Sequence, residues 1–379
     1  MKIQQLSRTA TSAWNHVSGE DLGVQAQLVF AFGGRDILTG LDMYNDLRKQ
    51  FPVADILMCS TSGEISDTEV NDNSVAVTAI EFAHTTIRIA RVNMANHPDS
   101  KSAGSAVSSA LQGDALQHIF VISDGLHVNG TTLVEGIQSM LPKDVSVTGG
   151  LAGDGALFTT TIVGYNGEAT SKEIVAIGLY GDRLKVGYAS FGGWTPFGTE
   201  RLVTKSEANI LYELDGKPAL ELYKTFLGDK AAELPASALL FPLSINNPDA
   251  PEGRLVRTIL TIDEDKNSMT FAGDIPQGST VRLMKSNFND LVNGAEKAAE
   301  ISHDILGTKP ELAILVSCVG RKLMMGQHIE DETEIIREVL GDAVPMTGFY
   351  SYGELAPATK NQSCLLHNQT MTITLFAEV

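Results

Sequence analysis

Gly348-Phe349-Tyr350-Ser351-Tyr352-Gly353-Glu354 is the stretch on which the reading of this chain turns. An apolar run over 312–319 and an amphipathic segment over 331–340 precede it, and a β-like run over 365–376 follows. The same order occurs twice earlier. An apolar run over 28–32 ends at Gly33-Gly34, a helical segment covers 38–50, and Cys59-Ser60-Thr61-Ser62-Gly63-Glu64 leads into a β-rich stretch over 74–92. A run over 119–123 ends at Gly125, a helix covers 131–141, and Gly149-Gly150-Leu151-Ala152-Gly153-Asp154 leads into β-rich 173–190. The intervals Gly34 to Gly63, Gly125 to Gly153 and Gly320 to Gly353 are of similar length, which marks an internal repeat.

The repeat predicts a β-α-β-β unit: strand, helix, strand, Gly-acid turn, then antiparallel strands. The fold class is therefore mixed α/β (α+β), with mixed sheets flanked by helices. Glycine in the turn permits positive φ and close backbone approach. The acid beside it either accepts nearby backbone donors and stabilises the turn, or faces a ligand. Both readings stand for Glu64, Asp154 and Glu354; Glu354 lies among Phe349, Tyr350 and Tyr352, the composition of a pocket wall.

A length of 379 residues exceeds one ordinary core, so two domains are expected, 1–205 and 206–379. Hydrophobic residues at 43% and charged residues at 20% describe a folded protein. The net charge of −18 argues against a general nucleic-acid or anionic-membrane binder. The three cysteines, Cys59, Cys318 and Cys364, are odd in number and far apart, which disfavours a disulfide framework or a Cys-rich zinc site. The first residues lack the apolar core of a signal peptide, and no run of about 18 apolar residues occurs, so a cytoplasmic location is expected.

Several local expectations follow from pattern. Residues 7–20 read as a polar lead-in with helical character, and Asp36 as a cap for the helix over 38–50. Alternation in 74–80 and 85–92, and again in 175–180 and 184–189, suggests two hairpins. Gly192 to Gly198 reads as a flexible exit with exposed aromatics, Trp194 and Phe197. Beyond it come an apolar strand over 237–244, a Pro- and Gly-containing loop over 246–253, strands over 255–263 and 268–272, and a helix over 289–306. Residues 237–306 are a candidate for a degenerate fourth copy.

The third copy carries more than periodicity. It reads Ser317-Cys318-Val319-Gly320-Arg321, then Glu330-Asp331-Glu332-Thr333-Glu334, then Pro345 to Glu354, and ends Leu366-His367-Asn368-Gln369-Thr370. This set resembles the carboxy-terminal domain of the FIST family, and residues 59–64 and 149–154 resemble its amino-terminal domain. The resemblance covers nearly the whole chain. It implies bacterial signal input: binding of a small ligand, and relay to a histidine kinase or a cyclic-di-GMP enzyme. One branch of the family comprises haem proteins that sense nitric oxide, so the resemblance makes haem a candidate cofactor.

The candidate ligand-binding residues are Arg257, Cys318, Arg321, Tyr350, Tyr352, Glu354 and Asn368, with His367 as the metal ligand if haem binds. Arg321 follows the end of an apolar strand and suits a carboxylate or haem propionate; the alternative is an ion pair with Glu330, Glu332 or Glu354. Arg257 faces the same cavity or a solvated strand face. His367 ligates iron or hydrogen-bonds within the sheet. Cys318 is a small buried hydrophobe or, beside Arg321, an activated thiol. A hydrolase-like enzyme using Cys318 or Glu354 is the alternative to a non-enzymatic sensor. Nucleotide-binding glycine motifs are absent, which removes that class.

Overall fold

Apolar runs with strand-like alternation, separated by segments of helical period, set the order of elements. The computed structural model describes residues 1–379 except 235, 249, 251, 252 and 361. It opens with β1 (Lys2–Thr9) and β2 (Asn15–Gly19), an antiparallel pair where a helical lead-in was expected. Long-range pairing overrides the local polar pattern, and Gln5, buried in β1, donates to the Met346 carbonyl at 2.7 Å.

The first copy comprises β3 (Leu28–Gly33), α1 (Arg35–Gly40), α2 (Met43–Gln50), β4 (Asp55–Ser60), β5 (Glu64–Ser66), β6 (Glu69–Asn71), β7 (Ser74–Glu81) and β8 (Thr86–Asn93). The helix expected over 38–50 is broken at Leu41, which is extended, and Asp36 sits in the first turn of α1 instead of capping it. The second comprises α3 (Ser100–Leu111), β9 (Leu116–Ser123), α4 (Gly130–Gln138), β10 (Ser146–Leu151), β11 (Val163–Tyr165), β12 (Glu173–Tyr180) and β13 (Leu184–Phe191).

An inserted module follows: β14 (Thr195–Glu207), β15 (Ile210–Leu214), β16 (Lys217–Pro218), α5 (Ala219–Leu227), β17 (Leu243–Asn246), β18 (Arg254–Arg257), β19 (Ile259–Asp263), β20 (Ser268–Phe271) and β21 (Thr280–Lys285). The third copy is α6 (Phe288–Leu306), β22 (Leu312–Cys318), α7 (Val319–Met325), α8 (Asp331–Leu340), β23 (Met346–Ser351), β24 (Gly353–Pro357), β25 (Cys364–His367) and β26 (Met371–Glu378).

Each copy builds the same nucleus, a parallel strand pair with a third strand antiparallel to it: β3 and β4 with β7, β9 and β10 with β12, β22 and β23 with β26. The remaining strands are exchanged in a cycle. After the Gly-acid turn, β5 pairs with β23, β11 with β4, and β24 with β10. On the opposite edges β8 pairs with β12, β13 with β26, and β1 takes the matching place beside β7.

The two expected hairpins are therefore corrected: β7 and β8, like β12 and β13, lie in different sheets. Their short links carry the chain across the core instead of back along the same sheet. Exchange gives five of the six nucleus edges a partner from another copy, and β1 covers the sixth, so backbone groups that would otherwise be exposed are paired. Glu378 secures one such link by accepting the N–H groups of Ala83, His84 and Thr85 at 2.8, 2.8 and 2.7 Å.

The three sheets enclose a common apolar centre that includes Phe30 and Phe32, Phe120 and Ile122, and Ile314, Val316 and Phe349. Phe30 meets Phe120 edge-on at 5.6 Å, and Phe32 lies 4.8 Å from Phe349. Outside it, α2, α3 with α4, and α6 with α8 each cover one sheet over a separate apolar layer. Strands on both sides of residue 206 share two of these sheets.

The inserted module has its own antiparallel sheet and its own core, including Leu220, Tyr223, Leu243, Met269 and Phe271. It shows no parallel pair among the described residues, so 237–306 is not a fourth copy. The expected strand over 237–244 is a short 3-10 turn (Ala236–Leu240) followed by β17, and the run over 255–263 is divided between β18 and β19. Within the loop expected over 246–253, residues 249, 251 and 252 lie outside the described residues. Among the described residues no helix is long and apolar enough to cross a membrane.

Candidate functional site

The three Gly-acid turns follow β4, β10 and β23, the second strands of the parallel pairs, where open α/β sheets present ligand sites. Two of the acids are used alike. Glu64 accepts the hydroxyl of Thr61 and both the N–H and hydroxyl of Ser74, at 3.0 and 2.7 Å. Glu354 accepts the Ser351 hydroxyl at 2.7 Å and the N–H and hydroxyl of Thr370 at 3.2 and 2.9 Å. Burial pushes Glu64 up to about 7 and Glu354 up to about 8, against the opposing pull of these hydrogen bonds.

Asp154 is used differently. It accepts the N–H groups of Phe158, Thr159 and Thr160, the Tyr352 hydroxyl, and Arg35 at 3.1 Å. Burial alone would raise its pKa, but the Thr160 N–H, the Tyr352 hydroxyl and the Thr159 donors outweigh it and hold the carboxyl below its usual range. Tyr352 also stacks on Phe158 at 4.4 Å, so its ring and hydroxyl fix the loop after β10.

Arg321 stands in α7 and is fully buried. It grips Glu332 at 2.7 and 3.0 Å and donates to the carbonyls of Gly192 and Leu291 at 2.6 and 2.8 Å. Glu332 also receives the hydroxyls of Tyr350 and Ser317, at 2.6 and 2.9 Å. Of the two readings of Arg321, the observed contacts are those of a structural ion pair with Glu332. Tyr350 is part of the same network. Cys318 is buried, and burial together with the nearby Glu354 pushes its thiol up, away from the thiolate form.

The remaining candidates meet where the core touches the inserted module. Arg257 is buried and reaches the Leu366 carbonyl of β25 at 3.0 Å; burial lowers its pKa to about 10 against the pull of Asp274. Asp274 receives the Asn129 amide at 2.8 Å. Gln369, at φ 64°, donates to the Leu239 carbonyl at 3.0 Å and accepts the Trp194 indole N–H through its own carbonyl at 2.9 Å. Trp194 is thereby buried, a correction to its expected exposure.

Beside this joint lies a cavity of about 240 Å³ bordered by Phe191, Trp194, Arg254, Val256, Met284 and His367, among others. Nη1 of Arg254, a residue that borders this cavity, is buried with no hydrogen-bond partner; next to His367 in the chain, both amide atoms of Asn368 and Oε1 of Gln369 are also unpaired, beside Gly353 and Gly320 respectively. Native proteins satisfy nearly all such atoms, so each of these groups keeps hydrogen-bonding capacity that an ordered water or a ligand can fill.

Arg254 escaped the sequence reading, which favoured Arg257. Strand parity carried the missing signal: in Arg254-Leu255-Val256-Arg257, residues 254 and 256 share one face, and both border the cavity.

His367 donates from Nε2 to the Ala356 carbonyl at 3.0 Å, since a carbonyl can only accept, and burial pushes its pKa down to about 4. Nε2 is thus committed to the sheet and is not free to bind iron. The adjoining cavity is also smaller than the roughly 300–1,000 Å³ of ordinary ligand pockets. A haem does not fit these residues. Among the described residues no cluster of three His, Cys, Asp or Glu is arranged to hold a metal ion.

An uncharacterized protein of Methanocaldococcus jannaschii is 23% identical over 322 residues, covering 79% of this chain and 61% of its own length. An uncharacterized protein of Mycobacterium tuberculosis is 23% identical over 255 residues, covering 65% of this chain and 64% of its own. The chain thus spans less than two thirds of these relatives. A crystal structure of cyanuric acid hydrolase from A. caulinodans aligns over 78% of this chain and 99% of its own, at 10% identity and a TM-score of 0.19, too low to carry an argument. The FIST N domain matches residues 27–217 and the FIST C domain residues 219–357, more than half of the chain together; domains of this kind are linked to sensory signal transduction with small-ligand binding. The chain belongs to the FIST family.

Proposed function

We propose that this protein is a non-enzymatic sensor that holds a small ligand between its threefold core and the inserted module, and relays occupancy to a signalling partner such as a histidine kinase or a cyclic-di-GMP enzyme. The observation that carries the reading is the buried, unpaired Nη1 of Arg254 on the wall of a largely apolar cavity between core and module. An unsatisfied buried group costs about 1–3 kcal/mol. A ligand that pairs with this one recovers that cost and favours the arrangement of core and module in which it fits. The module touches the core through Arg257, Gln369 and Asp274, so a ligand wedged among these contacts biases its position.

The chemistry around Cys318 and Glu354 supports binding over turnover. Burial pushes the Cys318 thiol up, away from the nucleophilic thiolate, and both oxygens of Glu354 are taken up by Ser351 and Thr370. Neither residue offers an activated nucleophile with a free base beside it.

The test is a thermal-shift screen of small metabolites, followed by Trp194 fluorescence and partner pull-down with and without the ligand. A ligand that raises Tm, perturbs Trp194 and changes partner recovery is the expected result. Ligand binding that survives filling the cavity with Val256→Trp, or ligand consumption with turnover, would sink the reading.

A further inference from the structure

We infer that the cavity at the joint selects a small carboxylate without an ammonium group, with Arg254 as its anion-binding residue and an apolar tail against Trp194 and Met284. This rests on the small-ligand reading above and adds the chemical class.

Arg254 lies on β18 facing the cavity, and its Nη1 is buried without a hydrogen-bond partner. A guanidinium presents paired N–H groups that match a carboxylate, and such charge-assisted bonds are stronger than neutral ones. The other two arginines at this joint are not free to act. Arg321 is spent on Glu332 and two carbonyls, and Arg257 on the carbonyls of Leu366, Val256 and Asp274. The charge of Arg254 is also felt by Glu200, but that carboxylate is on the surface, where solvent screens it.

The exclusion of an ammonium group comes from the rest of the wall. Among the described residues no Asp or Glu borders the cavity, and burial pushes the imidazole there, His367, down to about 4, toward its neutral form. An α-amino acid would bury its ammonium without a counter-charge, which is costly. Phe191, Trp194, Val256 and Met284 supply apolar surface instead. At about 30 Å³ per water, a volume of about 240 Å³ admits a ligand of roughly eight to ten heavy atoms.

The experiment uses the full chain carrying Trp14→Phe, so that Trp194 is the sole indole reporter. Phenylacetate, phenylacetamide and phenylglycine are titrated by fluorescence and calorimetry, with 4-methyl-2-oxopentanoate as a second acid. The expected result is saturable binding of at least one acid, with phenylacetamide and phenylglycine at least tenfold weaker than phenylacetate if that acid binds. Arg254→Gln should weaken the acid at least tenfold, and Arg254→Lys less, with the melting temperature of each free variant as the folding control. Equal binding of the amide or the amino acid, or unchanged affinity in Arg254→Gln, overturns the inference. So does failure of both acids while a different small molecule perturbs Trp194, an outcome that leaves the sensor reading standing. A screen in which no small molecule perturbs Trp194 overturns both.

Discussion

Thr370 donates its backbone N–H and its hydroxyl to the same oxygen of Glu354, at 3.2 and 2.9 Å, and Ser74 holds Glu64 in the same way. Two copies of the repeat thus use the Gly-acid turn to pin the first residues of the strand that returns beside the parallel pair. Replacing Glu354 by Ala leaves those donors unpaired inside the protein. A loss of about 2–4 kcal/mol is expected, measured by chemical denaturation. Glu354→Gln keeps two polar atoms in place and should cost less than half as much.

The pH dependence of stability follows from the same two acids. In the folded state Glu64 and Glu354 are raised to about 7 and about 8, so they keep protons that the unfolded chain releases near pH 4.5. Their contribution is full below pH 4.5 and is lost as the pH rises through 7 and 8. Glu378 acts in the opposite sense. Burial opposes its ionisation, but the Ala83, His84 and Thr85 N–H groups hold it down to about 2, so its contribution is lost as the pH falls below about 4.5. Urea midpoints taken from pH 3 to 9 should decline at both ends. A Glu64→Gln, Glu354→Gln double variant should flatten the alkaline limb; an unchanged limb would count against this assignment.

Breaking the Arg321–Glu332 pair should be more damaging than removing a surface charge. Both side chains are fully buried, and Glu332→Ala would leave the guanidinium without its counter-ion. The expected destabilisation is about 3–5 kcal/mol, read from guanidinium or thermal melts. If Arg321 served the ligand instead, Glu332→Gln would change ligand affinity with little effect on melting.

Gly320 controls the joint from the core side. A Cβ at that position would overlap the amide of Gln369, which bridges to Leu239 in the module. Gly320→Ala should therefore displace Gln369, with a stability cost of about 1–3 kcal/mol. Faster proteolytic cleavage around 228–241, with no change in the protection of α3 and α4, is the expected signature. Uniform loss of protection would point to general unfolding instead.

The element types and the threefold recurrence were legible because both depend on nearby residues. The apolar runs 28–32, 119–123 and 312–319 became the central strands β3, β9 and β22, and 331–340 became α8. Partner choice was not legible. The stretches 74–80 and 85–92 look like a hairpin from either side of their short link, yet they belong to different sheets. Strand pairing is decided by which apolar faces meet across the whole core, and local alternation is the same whichever partner is chosen.

The candidate site divides along the same line. By itself the sequence determined the residue types: a carboxylate after each turn glycine, arginines on or beside apolar strands, a His-Asn-Gln run near the end. Tertiary structure decided which of them are free. Arg321 met Glu332 and was closed off, Arg257 met Leu366, and His367 met Ala356, while Arg254 and Asn368 were left with unpaired polar atoms. Whether a charged or amide group can bind a ligand depends on the partners that remain unfilled after folding, and those partners come from distant parts of the chain.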